Sequence, residues 1–156
     1  MKKKLFSILL VILVCVTGVF NCRICAKAEG ESEDISMSEL VSQDALIGYM
    51  ENQTWGVYLS SGQSIINKIS STKVGAGGVT NAAVQCTVKV TSILERKVNG
   101  SWVRVTSWTQ TNTNASYAMI SKSVIVSSGY YYRVRSHHYA GTDTASSYTD
   151  ALWVGN

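Results

Sequence analysis

Residues 84–108 read VQCTVKVTSILERKVNGSWVRVTSW, and this stretch decides the fold. Val84, Cys86, Val88, Val90 and Leu94 recur at period two, with Gln85, Thr87, Lys89, Thr91 and Glu95 between them. Such alternation places the two sets on opposite faces of a strand, the apolar set against a core. Asn99-Gly100 follows. That pair favours a two-residue hairpin turn because both positions tolerate positive φ. Trp102–Trp108 then reads as the returning strand, with Val103 and Val105 on one face.

Working outward, short runs rich in Thr, Ser, Val, Tyr and Trp continue on both sides. Trp55–Ser60, Ser64–Ser70 and Lys73–Thr80 precede the hairpin, and Gly75, Gly77 and Gly78 are expected to bend the last of them. Tyr117–Ser127, Tyr130–Ala140 and Ser147–Val154 follow it. Strands at this spacing predict an all-β domain over residues 52–156, an immunoglobulin/fibronectin-like two-sheet sandwich. Tyr130-x-Tyr132-x-Val134 after Gly129 resembles the strand that carries a tyrosine corner in such sandwiches. The Cys…Trp…Cys arrangement of true immunoglobulin domains is absent, and the chain has no proline to protect its sheet edges.

The N-terminus has a different character. Lys2, Lys3 and Lys4 precede an apolar run from Leu5 to Phe20, and Ala26-Lys27-Ala28 supplies a small-x-small cleavage site. This predicts a signal peptide over residues 1–28, forming a helix and cleaved after Ala28, with a secreted product and no stable membrane anchor after cleavage. Cleavage removes Cys15, Cys22 and Cys25, so Cys86 alone remains and no internal disulfide can form. Within its alternating strand Cys86 reads as a buried, inert thiol.

Charge is segregated in what remains. Nine of the 14 basic residues and all ten acidic residues stay, a net of −1. Residues 29–51 hold Glu29, Glu31, Glu33, Asp34, Glu39, Asp44 and Glu51 with no Lys or Arg, whereas residues 52–156 carry a net of +6. The segment is expected to be an acidic, mostly disordered linker. Ser36 and Glu39 have capping-box spacing, so one short helix including Leu40, Val41, Ala45 and Ile47 is expected within it. A sharper expectation is that this segment folds over the basic face and masks it. No basic run exceeds two residues beyond the signal, so nucleic acid is not expected as a partner.

A resemblance spans about residues 55–155. It is carried by Gly56-Val57-Tyr58-Leu59-Ser60-Ser61-Gly62, by Leu94-Glu95-Arg96 with Gly100-Ser101-Trp102-Val103 and Ser107-Trp108, by Ser121-Lys122, by Gly129-Tyr130-Tyr131-Tyr132-Arg133-Val134 and by Leu152-Trp153-Val154. Together these are similar to a domain-of-unknown-function family of small secreted proteins from Gram-positive, clostridia-like bacteria. The resemblance implies a secreted β-sandwich and carries over no activity, ligand or catalytic residue.

The residues point away from most chemistries. Adjacent His137 and His138 on a strand face opposite ways, and no HExxH or CxxC spacing occurs in the mature chain, so no metal is expected. No cofactor is expected either, since the glycines lack a phosphate-cradling pattern. Glu95, Asp143 and Asp150 are the only carboxylates of the β domain. Glu95 is expected on a solvent face beside Arg96 and Lys97, and Asp143 in the Gly141-Thr142-Asp143 turn. One constellation remains. With Tyr130, Tyr132 and Val134 facing the core, alternation puts Tyr131, Arg133, Arg135, His137 and Tyr139 on the other face. Aromatic faces stack on sugar or peptide groups, and guanidinium groups bind carboxylates bidentately. Trp55, Trp102, Trp108 and Trp153 can add an aromatic platform or fill the core. The function expected is thus a non-catalytic extracellular binding or interaction module for a glycan, an anionic polymer or a protein. Replacing Arg133 and Arg135 together is expected to abolish binding without unfolding. The alternatives are a secreted hydrolase using Asp/Glu or Cys86, and a bacteriocin-like effector.

Overall fold

The computed structural model describes residues 28–42, 44–50 and 56–156. The expected signal-peptide helix and Trp55 lie outside the described residues. Among the described residues eight strands and one helical turn follow one another as β1 (Ser32–Asp34), α1 (Met37–Leu40), β2 (Leu46–Tyr49), β3 (Leu59–Ser70), β4 (Lys73–Val98), β5 (Ser101–Ile125), β6 (Tyr130–Ala140), β7 (Asp143–Tyr148) and β8 (Leu152–Val154). The described residues are almost entirely β, as the alternation predicted.

Two strands organise everything else. The expected hairpin is present: Asn99 (φ 49°) and Gly100 (φ 83°) both take the left-handed conformation that a two-residue turn needs. Its arms run far beyond the predicted runs, 26 residues in β4 and 25 in β5. Lys73–Val98 is one strand, and Trp102–Trp108 continues into the run at Tyr117. β4 changes partner midway. Its first part, Lys73–Ala82, pairs with β3, and its second, Val88–Arg96, pairs with β6. Register shifts between Asn81 and Val88, with Asn114 at φ 51° on β5, mark the irregular stretch between the two parts.

All strands therefore join one antiparallel sheet of order β1-β5-β4-β3-β2, with β6 on β4 and both β7 and β8 on β6. The immunoglobulin/fibronectin-like pair of separate sheets is replaced by one hydrogen-bonded sheet folded into two halves. The β3 half faces the β6–β7 half, since Ser64 of β3 donates to the Ser147 carbonyl of β7 at 3.0 Å. The larger apolar core lies between the halves, with Ile66, Val74, Ala76 and Val124 from one and Leu94, Tyr132, Val134 and Val154 from the other. A smaller cluster of Val88, Val90 and Ala118, with Cys86 half-buried against it, sits nearer the irregular stretch. Tyr132 is fully buried, and its hydroxyl donates to the Ser127 carbonyl at 2.7 Å, the bond a tyrosine corner makes. Tyr130, expected in the core, is 38% exposed. It lies at the start of β6, where its ring covers the Arg96 guanidinium at 4.6 Å.

The acidic segment is ordered where it is described, against the expectation of disorder. β1 pairs with Lys122–Val124 on the edge of β5, and β2 pairs with Gln63–Ile66 on the edge of β3. Between them α1 crosses the face of the sheet opposite the core. Glu29 pairs with Arg96 (2.7 Å), Glu33 with Lys73 (3.8 Å) and Asp34 with Lys122 (2.6 Å). The expected capping box forms, with Ser36 and Glu39 bonded reciprocally, but the helix ends after one turn and Ile47 lies in a strand. What orders so polar a segment is its few anchors. Leu40 is fully buried above Gly75 and Gly77, and the sheet edges satisfy the segment's backbone groups. Gly75 and Gly77 do not bend their strand; the register with β3 and β5 is regular through them. They make a notch, where a Cβ on Gly77 would meet both Leu40 and the Ile120 carbonyl.

Candidate functional site

Strand β6 sets the candidate site by alternation. Tyr132, Val134, Ser136, His138 and Ala140 are buried, while Tyr131, Arg133, Arg135, His137 and Tyr139 all project from the opposite face. The neighbouring strands widen that face. Register places Glu95 of β4 beside Arg133, Thr91 beside His137 and Lys89 beside Tyr139. On the other side of β6, Tyr148 stands beside Arg135, Ser146 beside His137 and Trp153 beside Tyr131.

Glu95 is the centre of this face and corrects the solvated ion pair expected with Arg96 and Lys97. It is only 5% exposed. Arg133 Nε donates to its Oε2 at 2.7 Å, and Arg135 Nε and Nη2 donate to its Oε1 at 3.1 and 2.9 Å. Cross-strand neighbours, two residues apart along β6, straddle one carboxylate. The adjacent Arg96 could not, because successive residues of a strand point to opposite faces. The Arg133 guanidinium also lies over the Trp102 ring at 4.3 Å and near the Tyr148 ring at 5.7 Å. Two guanidinium groups against one carboxylate leave the cluster one positive charge in excess. Each guanidinium has five donors, so several stay available to a ligand.

Around this fixed centre the aromatics keep open faces. Tyr131, Tyr148 and Trp153 are each 44–46% exposed, and the Tyr131 and Trp153 rings meet at 5.0 Å, tilted by 59°. Further along β6 a shallow pocket of about 340 Å³ is lined by Lys89, His137, Tyr139, Thr144 and Ser146. Lys89 Nζ sits 5.2 Å from the centre of the Tyr139 ring, and His137 Nδ1 meets Ser146 Oγ at 2.8 Å. The five residues picked from the sequence thus share one face, joined by Glu95, Trp102, Tyr148 and Lys89, which the single-strand pattern could not supply. Only the register of β4 and β7 against β6, and of β5 against β4, adds them.

The other candidate reactive groups serve the fold. Asp143 accepts from the Tyr58 and Leu59 amides at 2.7 and 3.0 Å, and those bonds hold its carboxyl below the ordinary range. It anchors the start of β3 instead of serving only its own turn. His138 is 1% exposed. Its Nδ1 meets Thr80 Oγ1 and its Nε2 meets Ser147 Oγ, both at 2.8 Å. Thr80 Oγ1 gives its proton to the Lys89 carbonyl at 3.1 Å, which makes Nδ1 the donor and Nε2 the acceptor. Burial lowers the His138 pKa to about 4, with His137 adding to the effect. Ser147 and His138 are spaced like a nucleophile and base, yet both are sealed in the interior and no carboxylate orients the ring. Among the described residues no group of three or more His, Cys, Asp or Glu is placed to hold a metal ion.

These features define an all-β protein with a guanidinium–carboxylate–aromatic cluster on one sheet face. The chain belongs to a family of unknown function, DUF6147, whose pattern matches residues 39–152. No curated protein and no solved structure matches it.

Proposed function

We propose that this chain is a secreted, non-catalytic binding module of Gram-positive bacteria, and that its outer β4–β6–β7–β8 face holds an anionic extracellular glycan. The observation that carries the reading is the Glu95 cluster. A buried carboxylate fixes two arginines in place, and aromatic rings flank them with open faces. Fixed side chains lose little conformational freedom on binding, so more of the contact energy reaches affinity. Exposed Tyr and Trp faces suit the flat apolar sides of sugar rings, and the spare guanidinium donors suit acidic substituents. Lys89, at the far end of the face, extends the positive charge. The non-catalytic part is supported by the carboxylates: Glu95 is taken up by two arginines and Asp143 by two amides. General acid–base catalysis needs paired carboxylates placed to act on one bond. Export rests on the N-terminal sequence, and protein recovered from medium should begin at Glu29.

The test is binding of the purified protein to an array of neutral and anionic cell-surface glycans, repeated with Tyr131→Ala/Trp153→Ala. These rings are 46% and 44% exposed, so the fold should survive. Affinity for acidic glycans should fall at least tenfold, and unchanged affinity overturns the site. The double alanine replacement of Arg133 and Arg135 is the wrong variant. It leaves the buried Glu95 charge unpaired, which costs about 3 kcal/mol or more of stability.

A further inference from the structure

The edges of this sheet are unequal. β2, β7 and β8 end it with four, six and three residues. Short edges are a standard protection against pairing with another chain. β5 is different. It has 25 residues, and β1 covers only Lys122–Val124 of its outer side, with flanking bonds from the Gly30 amide to the Ile125 carbonyl, from the Ile125 amide to the Glu31 carbonyl and from the Ile35 amide to the Ser121 carbonyl. Among the described residues no strand pairs with the outer edge of β5 from Ser101 to Ile120.

Protective devices occur on this edge, but not everywhere. A register shift opposite Leu94/Glu95 displaces Val105, and Arg104 is the one charged residue between Ser101 and Ser121. A second irregularity follows Asn112, with Asn114 at positive φ. Between them Thr106–Asn112 (TSWTQTN) pairs with Val88–Leu94 in unbroken register. It carries no charge and no proline. Thr109, Gln110 and Thr111 are exposed. Beside it runs an open groove of about 730 Å³, with Trp108, Thr109 and Gln110 on one side and Ile35–Met37 and Met119–Lys122 on the other.

We propose that this window pairs antiparallel with the same window of a second copy, about a twofold axis at Thr109. In that register Thr106 faces Asn112, Ser107 faces Thr111, Trp108 faces Gln110, and Thr109 faces its own copy. A twofold axis places every side chain near its counterpart, so a charged window would repel itself. A neutral window of Thr, Ser, Gln and Asn does not, and its side chains can bond across the axis. The groove gives the partner's Gln110 side chain room on the inner side, while each Trp108 stays packed in its own chain, its Nε1 donating to Ser32 Oγ at 3.0 Å. The consequence is functional. Thr109 shares a cross-strand row with Thr91 and His137, so pairing joins two outer faces into one continuous surface with two copies of the Glu95 cluster.

The test is mass by light scattering or sedimentation over a wide concentration range. Wild-type protein should pass from monomer to dimer, with amide exchange across 106–112 slowing as dimer forms. Thr109→Lys should hold the protein monomeric with an unchanged circular dichroism spectrum, as should Thr109→Glu. Mixing the two variants should restore a dimer, because the charges then meet as opposites. A wild type that stays monomeric throughout overturns the proposal, and so does a dimer that Thr109→Lys leaves intact. Glycan binding is read separately by the array, so failure of the pairing leaves that reading standing.

Discussion

His138 shows how much a single position can commit the interior to polarity. It lies on the core face of β6 among Ser64, Thr80, Ser92, Ser136 and Ser147, all 0–1% exposed. Burying such groups is costly unless each is bonded. Here they bond one another, with Ser92 meeting Ser136 at 3.0 Å and Ser64 meeting Ser147 at 2.8 Å. Small side chains are required, since the His138 ring occupies the space that a Cβ on Gly62 would need. A pH dependence follows. The folded pKa of about 4 lies below the ordinary value of 6.5. Between those values the unfolded chain binds the proton that the folded chain refuses, so stability rises with pH through this window and falls as pH drops through it. The His138 contribution should amount to roughly 3 kcal/mol between pH 6.5 and pH 4. Urea unfolding at several pH values measures it. His138→Gln should flatten that part of the profile, and an equally steep profile in the variant would assign the loss to other groups.

Among the elements, α1 is the most dependent on its surroundings. One turn of helix is below any length that is stable alone. Its capping box satisfies the first amides, but the fixing contact is Leu40 in the notch of Gly75 and Gly77. Asn67 of β3 secures the exit, its Nδ2 donating to the Glu39 carbonyl at 2.8 Å and to Ser42 Oγ at 3.1 Å. Leu40→Ala should therefore cost about 3 kcal/mol, as for other fully buried leucines. Gly77→Val fills the notch from the other side and should cost at least as much, since its Cβ meets backbone as well as Leu40. Thermal unfolding compares the two. If the double variant loses no more than Leu40→Ala alone, the two residues act on the same contact. If the losses add, the notch and the helix are independent.

At the scale of the whole molecule, the acidic segment is a strap. It begins on the β5 edge, crosses the sheet and ends on the β3 edge. Its ion pairs are largely exposed on the acidic side, with the Asp34 side chain at 85%. Pairs of that kind contribute little and weaken with salt. The apolar anchor and the edge ladders do not depend on salt. The strap should thus stay resistant to limited proteolysis in 1 M sodium chloride, and cleavage within 29–42 at high salt alone would show that charge holds it. Deleting residues 29–51 should yield unfolded or aggregated protein rather than an unmasked domain, because Leu40 and two strands of the sheet go with it. This replaces the picture of a detachable acidic mask.

The sequence by itself determined the local facts. Period two around Val84–Leu94, the Asn99-Gly100 turn, the extent of β6 with its two faces, and the Ser36/Glu39 cap are all set by neighbours a few residues apart. The five candidate site residues were legible for that reason, because alternation along one strand needs no partner. Only the tertiary structure decided what lies beside them. The merging of short runs into β4 and β5, the exchange of β3 for β6 along β4, the ordering of the acidic segment and the clamping of Glu95 by Arg133 and Arg135 all depend on cross-strand register. Register joins residues about 40 positions apart and leaves no periodic trace along the chain, so a carboxylate that looked solvated between Leu94 and Arg96 becomes the buried centre of the candidate face.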